Sequence, residues 1–112
     1  MAETFNNQST VLSSTSAFTV YTAPNASGNR AIVLSCLVAN VDGANNAEIT
    51  LYLASNSSTS ALTHIAKTIV VPADSTVELI PNKLVLTQGQ RLRAVASAAN
   101  DLDVTVSVLE IT

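Results

Sequence analysis

The side chains best suited to catalysis are few in this sequence. It contains one histidine, His64, and one cysteine, Cys36. A Ser-His-Asp triad needs a histidine between a nucleophile and an orienting acid, and no Gly-x-Ser-x-Gly elbow occurs. A zinc site needs three or four nitrogen or sulfur ligands, which one histidine and one cysteine do not supply. The sequence therefore predicts no enzyme, metal or cofactor, with His64 on a strand surface and Cys36 in the core.

The acidic residues do not group into a catalytic pair. Asp42 precedes Gly43, and Asp101 and Asp103 flank a leucine, but neither place has EF-hand spacing. Turn capping is the favoured interpretation of these aspartates. The glutamates fall singly on expected strands, so nothing pairs two of them for glycoside hydrolysis. With only three glycines in the chain, no phosphate-binding loop is present either.

Two arginines form the one local concentration of positive charge. Arg91 and Arg93 are two residues apart, so on a strand they share one face. They are either solvated charges or partners for carboxylates on another subunit. We therefore treat both as candidate contact residues.

Composition excludes several classes of protein. The chain has 112 residues, of which 47% are hydrophobic and 12% charged, with a net charge of −3. This much apolar sequence predicts a folded domain. Five basic residues in all argue against a nucleic-acid-binding or polybasic membrane protein. No apolar run approaches bilayer length, and no secretory signal is apparent at the first residues. We expect synthesis in a cytoplasm.

Period-2 alternation dominates the sequence and predicts strands. The expected strands are 17–22, 30–41, 48–54, 62–71, 76–80, 83–87, 91–98 and 102–111. Turn signals recur about every ten residues, as in sandwiches. The sequence therefore predicts an all-β fold, an antiparallel two-sheet β-sandwich that is jelly-roll-like, with about eight strands.

Two of these strands carry more specific expectations. The run 30–41 is apolar on both faces, which predicts a central strand. Simple alternation would place Ile32, Leu34, Cys36 and Val38 on one side of it. In strand 62–71 neither parity is clean, so we expect two half-strands or a bulge near Lys67. In strand 102–111, Leu102, Val104, Val106 and Val108 should face the core.

The first fifteen residues are polar and rich in Asn, Gln, Ser and Thr. We interpret 1–15 as an extended N-terminal arm, with a short strand near Val11 and Leu12, and 16–112 as the sandwich domain. The arm is either a frayed terminus or a segment that orders on a partner. In the second case Phe5 is its anchor, so Phe5 joins Arg91 and Arg93 as a candidate contact.

Four stretches resemble a known group of proteins. They are Val38–Gly43, Ile69–Leu79, Lys83–Ala94 and Leu102–Ile111. From Ala31 to the C-terminus the sequence resembles small virion structural proteins of tailed bacteriophages, notably cyanophages. The resemblance implies a β-sandwich subunit on the particle, and it carries no catalytic residues.

On this resemblance the expected role is a capsid cement, or decoration, protein that stabilises the shell through subunit contacts. Its partners would be the major capsid protein or other virion proteins, and a homo-oligomer, a dimer or trimer, is expected. The alternative is a tail, neck or fibre-associated module. A host-glycan-binding sandwich is a third possibility, with Tyr21 and Tyr52 as its aromatic candidates.

Overall fold

The computed structural model describes residues 2–112, which form nine β-strands. The strands are β1 Glu3–Val11, β2 Phe18–Thr22, β3 Arg30–Asn40, β4 Ala47–Ala54, β5 Ala61–Val71, β6 Thr76–Glu78, β7 Leu84–Thr87, β8 Arg91–Ala96 and β9 Leu102–Ile111. Within residues 2–112 no helix is long and apolar enough to cross a membrane. The predicted all-β class is confirmed.

The strands pair into two antiparallel sheets. The five-stranded sheet has the order β1-β9-β3, with both β6 and β7 along the far side of β3. The four-stranded sheet has the order β2-β8-β4-β5. Because β6 and β7 together occupy one strand position, this is the strand order of an eight-position jelly roll. The predicted antiparallel β-sandwich is therefore confirmed.

The core lies between the sheets and is built by alternation. In β9, Leu102, Val104, Val106 and Val108 are buried, as predicted, while the residues between them are partly exposed. The same alternation in β8 buries Leu92. Full burial of each large apolar side chain stabilises the fold by about 1.5–3 kcal/mol, so these residues are a main source of its stability.

Strand β3 is central, as predicted, but its parity changes partway along. The register against β9 shifts between Val33 and Ser35. Val33 is fully buried before the shift, and Cys36 and Val38 are fully buried after it. The expectation that Ile32 shares a face with Cys36 is therefore wrong, because the irregularity turns the strand by one residue.

The ambiguous strand β5 contains the bulge expected near Lys67. Its pairing with β4 jumps from Ile69 to Ala66, and Thr68 has a φ of 48°. The Thr68 N–H donates to Thr50 Oγ1 at 3.0 Å, which replaces a lost ladder bond. The mixed apolar pattern of this strand follows from the extra residue.

The segment 1–15 contains β1, a longer strand than the sequence indicated. All nine residues of β1 pair with β9 without a register shift, and the pairing continues to Ala2 and Thr112. Only Thr10 of β1 is even partly buried. Leu12, directly after the strand, is fully buried in the core. The segment is therefore attached to the sandwich by backbone hydrogen bonds and by one core side chain.

Candidate functional site

The two residues with the most reactive side chains lie in different sheets. His64 is exposed on β5, and its ring lies 5.7 Å from that of Tyr52. Cys36 is fully buried in β3, as predicted. Burial, with the nearby Glu78 carboxylate, raises the pKa of the Cys36 thiol to about 12. At neutral pH the thiol is protonated, so it is a poor nucleophile.

Three acidic side chains, those of Asp42, Glu78 and Glu110, accept hydrogen bonds within the fold. The Asp42 carboxylate accepts hydrogen bonds from the backbone N–H of Ala44 and from Asn45, and these lower its pKa. Glu110 accepts a hydrogen bond from the Tyr21 hydroxyl at 2.5 Å. In the part of the chain that the structure describes, no group of three or more His, Cys, Asp or Glu side chains could hold a metal ion.

Glu78 makes the most consequential of these contacts. Its Oε2 accepts the N–H of Cys36 and the N–H of Ile80, each at 2.8 Å. Both donors lie at the break between β6 and β7, where β3 has no continuous strand along this edge. The carboxylate therefore takes the place of a missing strand residue.

Arg91 and Arg93 share the outer face of the four-stranded sheet, but their donors are used within the chain. Arg91 donates from Nε and Nη2 to Ser55 O at 3.0 and 2.8 Å, and from Nη2 to Ser58 O at 2.8 Å. It thereby holds the loop after β4. A partner's carboxylate would have to compete with these carbonyl oxygens.

Arg93 crosslinks three strands in the same way. Its Nε donates to the Tyr52 hydroxyl at 3.0 Å and its Nη1 to Thr19 Oγ1 at 2.8 Å. A third bond, from Nη2, reaches Ala17 O at 3.2 Å. These residues come from both neighbouring strands and the segment before β2, so Arg93 stabilises the sheet whether or not it meets a partner.

Phe5 lies on the opposite side of the molecule, on the outer face of the five-stranded sheet, with 76% of its surface exposed. It pairs with Leu109, which pairs with Ile32, which pairs with Val85. These directly opposed residues form one line across four strands, which we call the apolar row. At the usual strand spacing it is about 14 Å long.

The sequence analysis proposed Phe5 as the anchor of an N-terminal arm, and it did not find the other members of the apolar row. One feature of the sequence does indicate the apolar row. The outward positions of β9 are polar at 103, 105 and 107, but they change to Leu109 and Ile111 near the end. The membership of Ile32 and Val85 depends on the bulge in β3 and on strand register, which no local pattern reports.

The two tyrosines considered for glycan binding do not form exposed platforms. Tyr21 is 3% exposed and bonded to Glu110, and burial is the main cause that raises its pKa. Tyr52 is half-buried beside Arg93, and its hydroxyl donates to Thr59 O at 3.2 Å. Stacking on a sugar would require either ring to be uncovered first.

An open apolar cleft of about 290 Å³ lies between β5 and the segment that joins β6 to β7. Its lining includes Ile65, Leu79 and Leu84. The volume is at the lower limit for a small-molecule site, and such sites usually have several convergent polar groups. Lys83 is the one charged residue in its lining.

Comparison with known proteins bears on the fold. No protein-family model matches the sequence, and no curated protein matches it. Among solved structures, the chain is similar to one described as "Bacillus endospore appendages form a novel family of disulfide-linked pili". The TM-score is 0.56 and the identity 15%, over 99% of this chain and 87% of that chain.

It is also similar to a chain from the acidic stable capsid structure of a Helicobacter pylori bacteriophage. The TM-score is 0.54 and the identity 10%, over 100% of this chain and 89% of that one. Both likenesses extend over nearly the whole sandwich. At these identities they show a shared fold.

Proposed function

We propose that this protein is a non-enzymatic structural subunit of a bacteriophage particle, and specifically a capsid cement protein. Its location would be the virion, after synthesis in the host cytoplasm. The observation that carries the proposal is the apolar row, because it gives the outer face of the five-stranded sheet a continuous apolar line across four strands on which to dock. The whole-chain likeness to a phage capsid structure supports the same role.

The chemistry of the surface favours close packing of many copies. Only 12% of the residues are charged, and the net charge of −3 is small. Weak electrostatic repulsion allows neighbouring subunits to approach each other and the shell. Each copy bound to the assembled shell stabilises it by mass action, and many weak contacts add through multivalency.

Phe5 and Val85 mark the two ends of the proposed contact with the major capsid protein or another virion protein. Both are more than half exposed, at 76% and 53%. Arg91 and Arg93 remain candidate contacts on the other sheet, where they would serve a second partner. The two surfaces lie on opposite sides of the sandwich, so one subunit can contact two neighbours at once.

A rebinding experiment with particles depleted of this protein tests the proposal. The Val85→Lys variant places a charge at the end of the apolar row. The Val70→Lys variant is the matched control, because Val70 is a similarly exposed strand valine (48%) in the other sheet. We expect Val70→Lys to rebind like the wild type and Val85→Lys to rebind at least about tenfold more weakly.

Copy number then separates the cement role from its alternative. A cement protein is present in numbers comparable with the major capsid protein. A tail, neck or fibre module is present in a few copies, at one vertex or along the tail. A low copy number would contradict the cement role, and absence from purified particles would contradict the virion proposal altogether.

A further inference from the structure

Strand β1 has a free edge that lacks the usual protection against pairing. Its nine residues hold one continuous register against β9, and the run contains no proline, glycine, lysine or arginine. The single charge, Glu3, is at the first position. A long edge strand with a single charge at one end is a template for another strand.

The other three edges of the two sheets are each interrupted. β6 and β7 are strands of three and four residues with a break between them. β2 is five residues long and contains a register shift. β5 is long, but it carries the bulge at Lys67 and Thr68 and ends before Pro72. Short strands, bulges, lysine and proline are the features that prevent edge pairing, so β1 stands apart.

The hydrogen-bond pattern shows which backbone groups are free. Ala2 and Thr112 exchange two hydrogen bonds, with Ala2 N to Thr112 O at 3.2 Å and Thr112 N to Ala2 O at 2.9 Å. In an antiparallel pair such bonded positions alternate, so the even-numbered residues of β1 bond to β9. Leu12, whose N–H donates to Leu102 O at 3.0 Å, follows the same parity. The odd-numbered residues therefore direct their N–H and C=O groups outward.

Asn7, at the centre of β1, agrees with this assignment. Its N–H donates to the side-chain oxygen of Asn6 at 2.9 Å, as expected of a donor that β9 does not use. The outward groups at 3, 5, 7, 9 and 11 are evenly spaced on both sides of this residue. A second copy of β1, rotated by a half-turn about an axis through Asn7, therefore presents its outward N–H and C=O groups to those of the first copy.

We infer that two copies of this protein pair through β1, antiparallel and centred on Asn7, to join their five-stranded sheets into one ten-stranded sheet. In this register Glu3 lies opposite Val11 of the second copy, and Phe5 lies opposite Ser9. Five bonded residue pairs give about ten backbone hydrogen bonds. Odd residues meet odd residues, so the outer faces of both sheets remain on the same side.

This register also avoids unfavourable side-chain contacts. The two Glu3 carboxylates lie at opposite ends of the paired strands, about 27 Å apart at the usual rise per residue. Pairing protects both free edges at once and leaves none open for a third copy, so the association closes as a dimer.

Mass measurement in solution tests the inference, with the full chain as it stands. We expect the wild type to have the mass of a dimer, twice 11.6 kDa, by light scattering after size exclusion. The Asn7→Pro variant removes one outward N–H at the axis and leaves the bonds to β9 intact. We expect it to raise the dimer dissociation constant at least about tenfold, while Asn7→Ala leaves it unchanged.

A second variant keeps the test decisive if proline disturbs the fold. Asn7→Lys retains every backbone group and places two like charges side by side at the axis, so it should favour the monomer, and less so in high salt. A circular dichroism spectrum unchanged from the wild type shows that the sandwich is intact. A dimer that survives both substitutions would place the interface elsewhere and overturn the inference.

The register of the proposed β1–β1 pairing can be tested by introducing a cysteine and oxidising it to a disulfide between two copies. Paired residues lie about 5.5 Å apart between Cα atoms, within reach of a disulfide. We expect Asn7→Cys to crosslink two copies and Glu3→Cys, on the same strand face, to give no crosslink. A monomeric or trimeric wild type, or crosslinking at position 3 alone, contradicts the inference. Either result leaves the proposed virion role standing, because pairing is a property of the free protein.

Discussion

Removing the Glu78 carboxylate tests how much this side chain stabilises the five-stranded sheet at the break between β6 and β7. Oε2 of this residue holds the N–H groups of Cys36 and Ile80, both at 2.8 Å. Cys36 is fully buried and Ile80 is only 4% exposed, so water replaces the carboxylate poorly at either donor. A substitution at this exposed glutamate should therefore cost more stability than its surface position suggests.

The expected size follows from the two bonds. A hydrogen bond to a charged group contributes about 1.5–3 kcal/mol, and the exposure of Glu78 places each bond near the lower limit. We expect Glu78→Ala to lower the free energy of unfolding by about 3 kcal/mol. Glu78→Gln keeps an acceptor oxygen in place without the charge, so about half of that loss is expected.

Urea unfolding at fixed protein concentration, followed by circular dichroism, measures these differences. The control is Glu48→Ala, which removes another exposed strand glutamate and should change stability by no more than about 0.5 kcal/mol. In thermal unfolding the Glu78→Ala loss corresponds to a Tm lower by roughly 12–20 °C. If Glu78→Ala resembled Glu48→Ala, or if Glu78→Gln were as damaging as Glu78→Ala, the proposed bridging role would be refuted.

Further predictions concern a turn, a titration and the core. Gly28 and Gly89 both have positive φ, but a Cβ at Gly28 meets nothing within 4 Å, whereas one at Gly89 would overlap the Asn25 side chain. We therefore expect Gly28→Ala to cost about 1 kcal/mol and Gly89→Ala about 3 kcal/mol in urea unfolding, and equal costs would contradict the packing of these loops. Hydrogen bonds lower the pKa of Asp42, so its stabilisation is present above the usual aspartate pKa and is lost as pH falls through the lowered value. The stability difference between wild type and Asp42→Asn should therefore shrink as the pH falls below the usual aspartate pKa, and a difference that stays constant with pH would contradict this effect. Val106→Asp buries an unpaired charge and should abolish the folded circular dichroism spectrum, whereas a soluble, folded variant would show that β9 faces the other way.

The local sequence pattern predicted which residues are buried wherever one face of a strand lies on the core and the other faces solvent. β9 alternates through Leu102, Val104, Val106 and Val108, and the structure buries all four. The bulge in β5 was also visible, because an extra residue at Lys67 breaks the alternation that the rest of the strand follows. In both cases the core imposes a period of two on the sequence.

The local sequence pattern did not predict structure where contact with the core does not impose an alternation of apolar and polar residues. β1 is exposed on both faces, so its side chains show no apolar period, although its backbone pairs along its whole length. The outward position of Ile32 depends on a register shift that local sequence does not mark. The bonds of Arg91 and the bond between Glu78 and Cys36 join residues more than thirty positions apart in the chain, and only the folded sheet brings those residues close.

The doubly bonded pair of Ala2 and Thr112 has a mechanical consequence. Ala2 and Thr112 therefore lie together at one corner of the sandwich. A force that pulls these two points apart loads that pair first and then each pair of β1 and β9 in succession. The hydrogen bonds between β1 and β9 then break one after another, so a low tension between Ala2 and Thr112 is enough to separate the two strands. A load directed along the strands is instead shared by many bonds at once, and the sandwich resists it better.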